Sequence, residues 1–214
     1  MTTWNPRVVF SASDVLAEEP DRARSGVDRA RVEAAVRELL IAIGDDPARE
    51  GVVDTPRRVA EAYADLFAGL TIDPVSVVKP LAGERGSGLI LVRDLQFASI
   101  CEHHLLPFVG RAAVGYVPGR DGRITGLSAL ARVVEVLARR PQVQERLVRQ
   151  IADALEASLA PSAVAVVIEA EQMCMTMRGA RKPGSTVITT DFRGLFQADP
   201  AARTEVLSLA RAGA

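Results

Sequence analysis

LILVRDLQFASICEHHLLPFVGRAAVGYV, residues 89–117, holds two β-rich runs around a short break that carries a cysteine, a proline and both histidines of the chain. Residues 89–100 are dense in branched aliphatic side chains, and a second run, Gly110–Val117, follows Pro107, Phe108 and Val109. The stretch therefore predicts two strands joined by a turn. Residues with reactive side chains collect in that turn, SICEHHLLPF (99–108).

Working outward, AVAVVIEAE (163–171) and TVITTDFRG (186–194) are two further β-rich runs. Between the pairs of strands, GLSALARVVEVLARR (126–140) carries a helical apolar stripe, with Ser128 as the expected N-cap and Pro141 as the breaker. A second helix is expected over 142–159 and a last one over 199–212, starting at Asp199 and Pro200. Upstream, Val32, Ala35, Val36, Leu39, Leu40 and Ile43 repeat with the 3.6-residue period of an amphipathic helix that Gly44 ends. DTPRRVAEAYADLFAGL (54–70) reads as another helix, capped by Asp54 or Thr55, with Pro56 in its first turn. Pro80, Gly83, Gly86 and Gly88 signal a loop before the first strand.

This order predicts an α+β fold of antiparallel hairpins, not alternating βαβ units: a four-stranded sheet with helices on one face and an N-terminal helical extension. Three segments are expected: a polar flexible arm over 1–26, a helical region over 27–88, and a catalytic domain over 89–214. Such a sheet leaves its edges exposed, so closure through a homo-oligomer is expected.

The formal net charge of the 214-residue chain is −1, which gives no support to a nucleic-acid or anionic-membrane binder. No stretch approaches the roughly 20 apolar residues of a membrane span, and no apolar run follows a basic start, so a cytoplasmic protein is expected. Lysine occurs only at Lys79 and Lys182, the other basic residues being arginine. The two cysteines, Cys101 and Cys174, are too few for a disulfide scaffold; buried thiols, a single disulfide and metal ligands all remain open. Cys101 and His104 are three residues apart, a spacing that lets both reach one metal from a tight turn, and Cys174 in EAEQMCMTMRG (169–179) offers a third ligand. Two thiolates and one imidazole suit Zn2+ and leave a position for a water that the metal acidifies to about pH 7. His103 is then a candidate proton shuttle.

CEHHLLPF, GLSALARVVEVLARRPQVQERL, MCMTMRG and the TEVLSL tail, in order over roughly residues 30–210, resemble the GTP cyclohydrolase I family. The resemblance implies a T-fold (tunnelling fold) subunit, a homodecamer with active sites at subunit interfaces, and zinc held by Cys101, His104 and Cys174. It places His103 on the catalytic histidine, Gln144 and Glu145 on the guanine-reading pair, and Arg58, Arg132, Arg178 and Ser128 on the phosphate-binding set. In that family the guanine imidazole is opened at C8, formate is released, and the ribose rearranges and recloses as dihydroneopterin triphosphate.

Three positions depart from the family pattern. Gln172 stands where the family has a histidine two residues before the second cysteine, Ala129 follows GLS where a lysine is usual, and Glu61 takes the lysine position of the TPxRVAK segment. Glutamine does not titrate, so at the second catalytic position Gln172 can orient a water or a ribose oxygen but cannot pass a proton. An arginine-for-lysine habit would preserve charge, so it does not account for Ala129 or Glu61. These departures lead to the expectation of a zinc-dependent hydrolase that opens a guanine nucleotide at C8 and stops at a formamidopyrimidine or diaminopyrimidine nucleotide for a specialised pathway. The alternatives are the complete reaction, yielding 7,8-dihydroneopterin triphosphate and formate for folate or pterin synthesis, and a catalytically silent oligomer that binds guanine nucleotides.

Overall fold

The computed structural model describes residues 26–211, so the arm expected over 1–26 lies outside the described residues except for Gly26. Helix α1 (Arg29–Ala42) is capped by Asp28, whose carboxylate accepts the Arg31 amide at 3.1 Å. Of its apolar stripe only Leu40 is buried, while Leu39 and Ile43 are 58% and 69% exposed. The period was read correctly, but only part of that face is covered within one chain. Helix α2 (Thr55–Leu66) begins with Pro56 in its first turn and packs on α1.

A 3-10 turn, Ala68–Thr71, joins this pair to the body of the protein. Gly69 donates its amide to Arg139 O at 3.0 Å, and a Cβ at this position would lie 1.9 Å from Val136 O. Only glycine lets the two backbones meet so closely. Helix α3 (Pro74–Val77) follows, capped by Asp73.

The segment 80–88, expected as loop, instead opens with strand β1 (Pro80–Arg85), which pairs antiparallel with β4 (Arg123–Thr125). Gly83 is accommodated in it at φ 78°. Its hydrogen-bond partner lies far along the chain, so local composition does not reveal the pairing.

The main sheet has five strands in the order β5–β2–β3–β6–β7. They are β2 (Ile90–Cys101), β3 (Pro107–Val117), β5 (Pro141–Gln142), β6 (Ala163–Gln172) and β7 (Thr186–Gly194). The four expected strands are antiparallel neighbours, and the short β5 adds to the β2 edge in parallel, Cys101 opposite Gln142. A bulge between Val92 and Leu95 puts Asp94 at φ 57°.

Helices α4 (Leu127–Ala138) and α5 (Gln144–Leu159) pack on one face of the sheet. The core between them joins Phe108, Val114, Tyr116, Leu130, Leu137, Ile151 and Ile168, all fully buried. Each large apolar side chain sealed there contributes roughly 1.5–3 kcal/mol. The α4 cap is Gly126, not Ser128, and it makes no side-chain cap bond. Just before the helix the Thr125 hydroxyl donates to Lys79 O at 2.7 Å. After β6 comes a single turn, α6 (Met173–Thr176); after β7 come α7 (Leu195–Ala198) and α8 (Pro200–Arg211).

Candidate active site

The strands β2 and β6 finish at the same end of the sheet, because Phe108 of β3 is paired with Gln172 and β3 turns back directly from β2. That register brings Cys101, at the end of β2, beside α6, which carries Cys174. The turn after Cys101 closes tightly: Leu105 N donates to Cys101 O, and Cys101 N to Leu106 O, each at 2.9 Å. Leu105 adopts φ 52°, a left-handed conformation that a branched residue holds only when its surroundings enforce it. The turn returns His104 to Cys101, with Sγ and Nδ1 3.9 Å apart.

The ligand atoms of Cys101, His104 and Cys174 all lie within 4.8 Å of one another. Zinc bonds of about 2.3 Å to sulfur and 2.0–2.1 Å to nitrogen put tetrahedral ligand atoms roughly 3.5–3.8 Å apart, so this donor set fits such an ion after small adjustments. Cys101 is buried, Cys174 half-buried and His104 exposed, which leaves the cradle open on one side. Burial, and then the neighbouring Cys101, push the Cys174 thiol up. A divalent cation would reverse that and favour both thiolates.

His103 points outward beside the cradle, its ring 6.3 Å from that of His104 and nearly perpendicular to it. Glu102, between Cys101 and His103, receives a two-pronged contact from Arg146 at 2.5 and 2.8 Å and lies 3.7 Å from His103 Nε2. That pairing with Arg146 holds the Glu102 carboxyl below its ordinary value. Neither Glu102 nor Arg146 was singled out from sequence; the only signal was a carboxylate set between a thiol and an imidazole.

Gln144 opens α5 and is buried, whereas Glu145 beside it is exposed. Gln144 Nε2 donates to Ile168 O at 3.2 Å and Val187 O at 2.9 Å, and its Oε1 accepts from Gln172 Nε2 at 2.7 Å. Arg178, just past α6, sits with Nη1 3.0 Å from His104 Nε2. The structure thus collects Cys101, His103, His104, Cys174 and Arg178 around one turn, and links Gln144 to Gln172.

The other expected phosphate residues stand on helices α2 and α4. Arg58 is exposed on α2 and pairs with Asp54 at 3.3 Å, and Glu61 on the same helix pairs with Arg57 at 2.9 Å. On α4, Ser128 is exposed in the first turn, Ala129 follows it, and Arg132 is half-buried one turn on.

The profile of the GTP cyclohydrolase I family matches residues 32–211. A GTP cyclohydrolase 1 of Mycolicibacterium vanbaalenii is 59% identical over 182 residues, which cover 85% of this chain and 90% of that protein. One from Corynebacterium aurimucosum is 56% identical over 189 residues, covering 88% and 96%. One from Geobacillus kaustophilus is 55% identical over 186 residues, covering 87% and 98%.

Proposed function

The chain belongs to the GTP cyclohydrolase I family, a family of T-fold hydrolases acting on a cyclic amidine, and from that premise we propose that it converts GTP to 7,8-dihydroneopterin triphosphate and formate. The observation that carries this reading is the Cys101–His104–Cys174 cradle, in a chain that matches proteins of that name along nearly their whole length. The sequence departures put a truncated reaction first; the relatives favour the complete one.

Zinc held by Cys101, His104 and Cys174 supplies Lewis acidity and an activated water as nucleophile at neutral pH. Glu145 accepts hydrogen bonds from the guanine N1–H and exocyclic amine, and a base without those donors leaves the carboxylate unpaired. His103 carries protons to and from the opening ring, with Glu102, braced by Arg146, beside it. Arg178, Arg132, Arg58 and Ser128 hold the phosphates, each charge-assisted contact contributing about 1.5–3 kcal/mol. Arg58 and Ser128 are exposed on the surface of one chain, which supports a site completed between subunits of a homo-oligomer, a decamer as in the family. No described helix is long and apolar enough to cross a membrane, and we place the enzyme in the cytoplasm. Residues 89–214 form the catalytic T-fold unit in this reading and residues 27–88 its helical extension.

Gln172 favours one second reading. An amide two residues before Cys174 cannot exchange a proton, so a reaction that halts at a formamidopyrimidine or diaminopyrimidine nucleotide is the alternative. An intact zinc-type donor set counts against a catalytically silent oligomer.

The test is mass-resolved product analysis of the zinc-loaded protein with GTP, GDP, GMP and guanosine in turn. Dihydroneopterin triphosphate with one equivalent of formate is the expected result. Accumulation of a ring-opened pyrimidine would replace the complete reaction with the truncated one, and GTP bound without turnover would sink both.

A further inference from the structure

We infer that Gln144 is a positioning residue, and that it holds Gln172 with its amide oxygen presented to the reaction centre as a hydrogen-bond acceptor. The inference rests on the reading above and deepens it: it transfers base recognition from the Gln144–Glu145 pair to Glu145 alone.

The argument begins with what surrounds Gln144. Its side chain is 3% exposed, so every polar atom must find a protein partner. Both hydrogens of Nε2 are taken, one by Ile168 O in β6 and one by Val187 O in β7. Backbone carbonyls only accept, so the amide cannot turn over: the amino group must face the strands and the oxygen must face outward. That oxygen meets Gln172 Nε2 at 2.7 Å. No donor is left on Gln144 for a base edge, and its oxygen already accepts from Gln172, so the side chain offers a base no more than the second lone pair of that oxygen.

The orientation then passes to Gln172. An oxygen of Gln144 can be met only by a donor, so the amino group of Gln172 is turned toward it and its Oε1 is turned away. Gln172 is half-buried at the last position of β6, two residues before Cys174, and its Oε1 has no protein partner among the described residues. What this side chain offers the site is an acceptor whose direction is set by two strands and a helix. It can align a water, a ribose hydroxyl or a ring N–H, and it can never release a proton.

An imidazole at position 172 could donate one N–H to the same Gln144 oxygen. The two side chains then differ at the site by a titratable nitrogen and not by their anchoring. Steps that need a proton fall to His103, and Gln172 acts on orientation.

The experiment compares Gln144→Met, Gln172→Met and the double variant. GTP and ATP binding is measured on metal-free protein, and kcat and KM for GTP on zinc-loaded protein. If Gln144 acts through Gln172, Gln144→Met keeps the GTP over ATP binding ratio within about threefold. It lowers kcat by a factor similar to that of Gln172→Met, and the double variant is no slower than the slower single. A tenfold or greater collapse of the ratio in Gln144→Met, or single effects that multiply in the double variant, overturns the inference. Should Gln144→Met fail to fold, Gln172→Glu and Gln172→His decide. The carboxylate sets oxygen against oxygen at Gln144, whereas the imidazole keeps a donor, so kcat of the glutamate variant should be at least tenfold below that of the histidine variant. Equal rates would refute the anchor. A wild-type protein that binds GTP without turning it over defeats the proposed reaction, while the binding ratio in Gln144→Met still tests the role of Gln144.

Discussion

The two ends of the main sheet treat their polar groups in opposite ways. Where β3 finishes, Tyr116 is fully buried and its hydroxyl accepts the Thr125 amide at 2.9 Å, while the Thr125 hydroxyl bonds Lys79 O at 2.7 Å. These contacts seal the small β1–β4 sheet onto the core. Where β3 starts, about 30 Å away at roughly 3.3 Å per residue, Cys174 is only half-buried, and His103, His104, Glu145 and Arg178 meet solvent. One end encloses its polar groups in the fold, and the other keeps several of them where a ligand can reach. Stability and chemistry are therefore separable, and a change at either end should register in only one kind of measurement.

The sharpest break is Cys174→Ser. It should abolish zinc retention and reduce turnover by more than the roughly 10–100-fold that loss of an outer hydrogen-bond partner of a metal ligand produces. Metal analysis and product assay would show this, with the far-ultraviolet circular dichroism nearly unchanged because Cys174 packs only at the margin of the core and serine is close to it in size. Full turnover in this variant would remove Cys174 from the cradle. Next in size, Glu145→Gln should lower kcat/KM for GTP by about 10- to 150-fold, the equivalent of one charge-assisted hydrogen bond, and shrink the preference for GTP over ATP. Thermal stability should stay as it was.

At the sealed end the pattern should invert. Tyr116→Phe leaves the buried Thr125 amide without its acceptor, at a cost of about 1–3 kcal/mol, and turnover at 25 °C should persist. Burial pushes the Tyr116 phenol up, against the opposing influence of the Thr125 amide. A group whose folded-state value is raised stabilises fully below its unfolded value. Wild-type stability should therefore decline as pH rises above about 10, where the unfolded chain gives up this proton and the folded chain keeps it. Denaturant titrations from pH 8 to 11 should show a shallower decline in the phenylalanine variant. An identical slope would mean that this phenol does not feel its burial. The smallest effect belongs to Glu61→Lys. Its pair with Arg57 is about half exposed on both sides and is worth at most about 1 kcal/mol. The change should leave stability alone and lower KM for GTP two- to fivefold at low salt, with the gain disappearing near 1 M salt. An unchanged KM would place α2 out of reach of the phosphates.

How much of this was legible in the sequence follows the range of the forces involved. The four long strands and the helices around them show in side-chain period and in proline and glycine punctuation, all of which act over a few residues. Cys101 and His104 were legible because one turn carries both. The β1–β4 pairing was not, since Gly83 and Pro80 speak of loop until Arg123–Thr125 supplies a partner. The burial of Gln144 was not legible for a related reason: the two carbonyls that claim its amide come from β6 and β7. The Glu102–Arg146 contact likewise spans separate elements. Ser128 misplaced a cap by sequence preference alone: the helix is capped at Gly126.

Gly69 also sets an order in time. The hairpin of α1 and α2 is made early in synthesis, yet its attachment runs through Gly69 N to Arg139 O, an acceptor that leaves the ribosome about seventy residues later. At 5–20 residues per second, the finished hairpin waits roughly 4–14 s for its seat. During that interval Leu39 and Ile43, still largely exposed after docking, are joined in water by the apolar side chains that docking will cover. The first part of the described chain to be made is thus among the last to be secured, and a side chain at position 69 would lengthen that exposure even where the rest of the molecule folds on schedule.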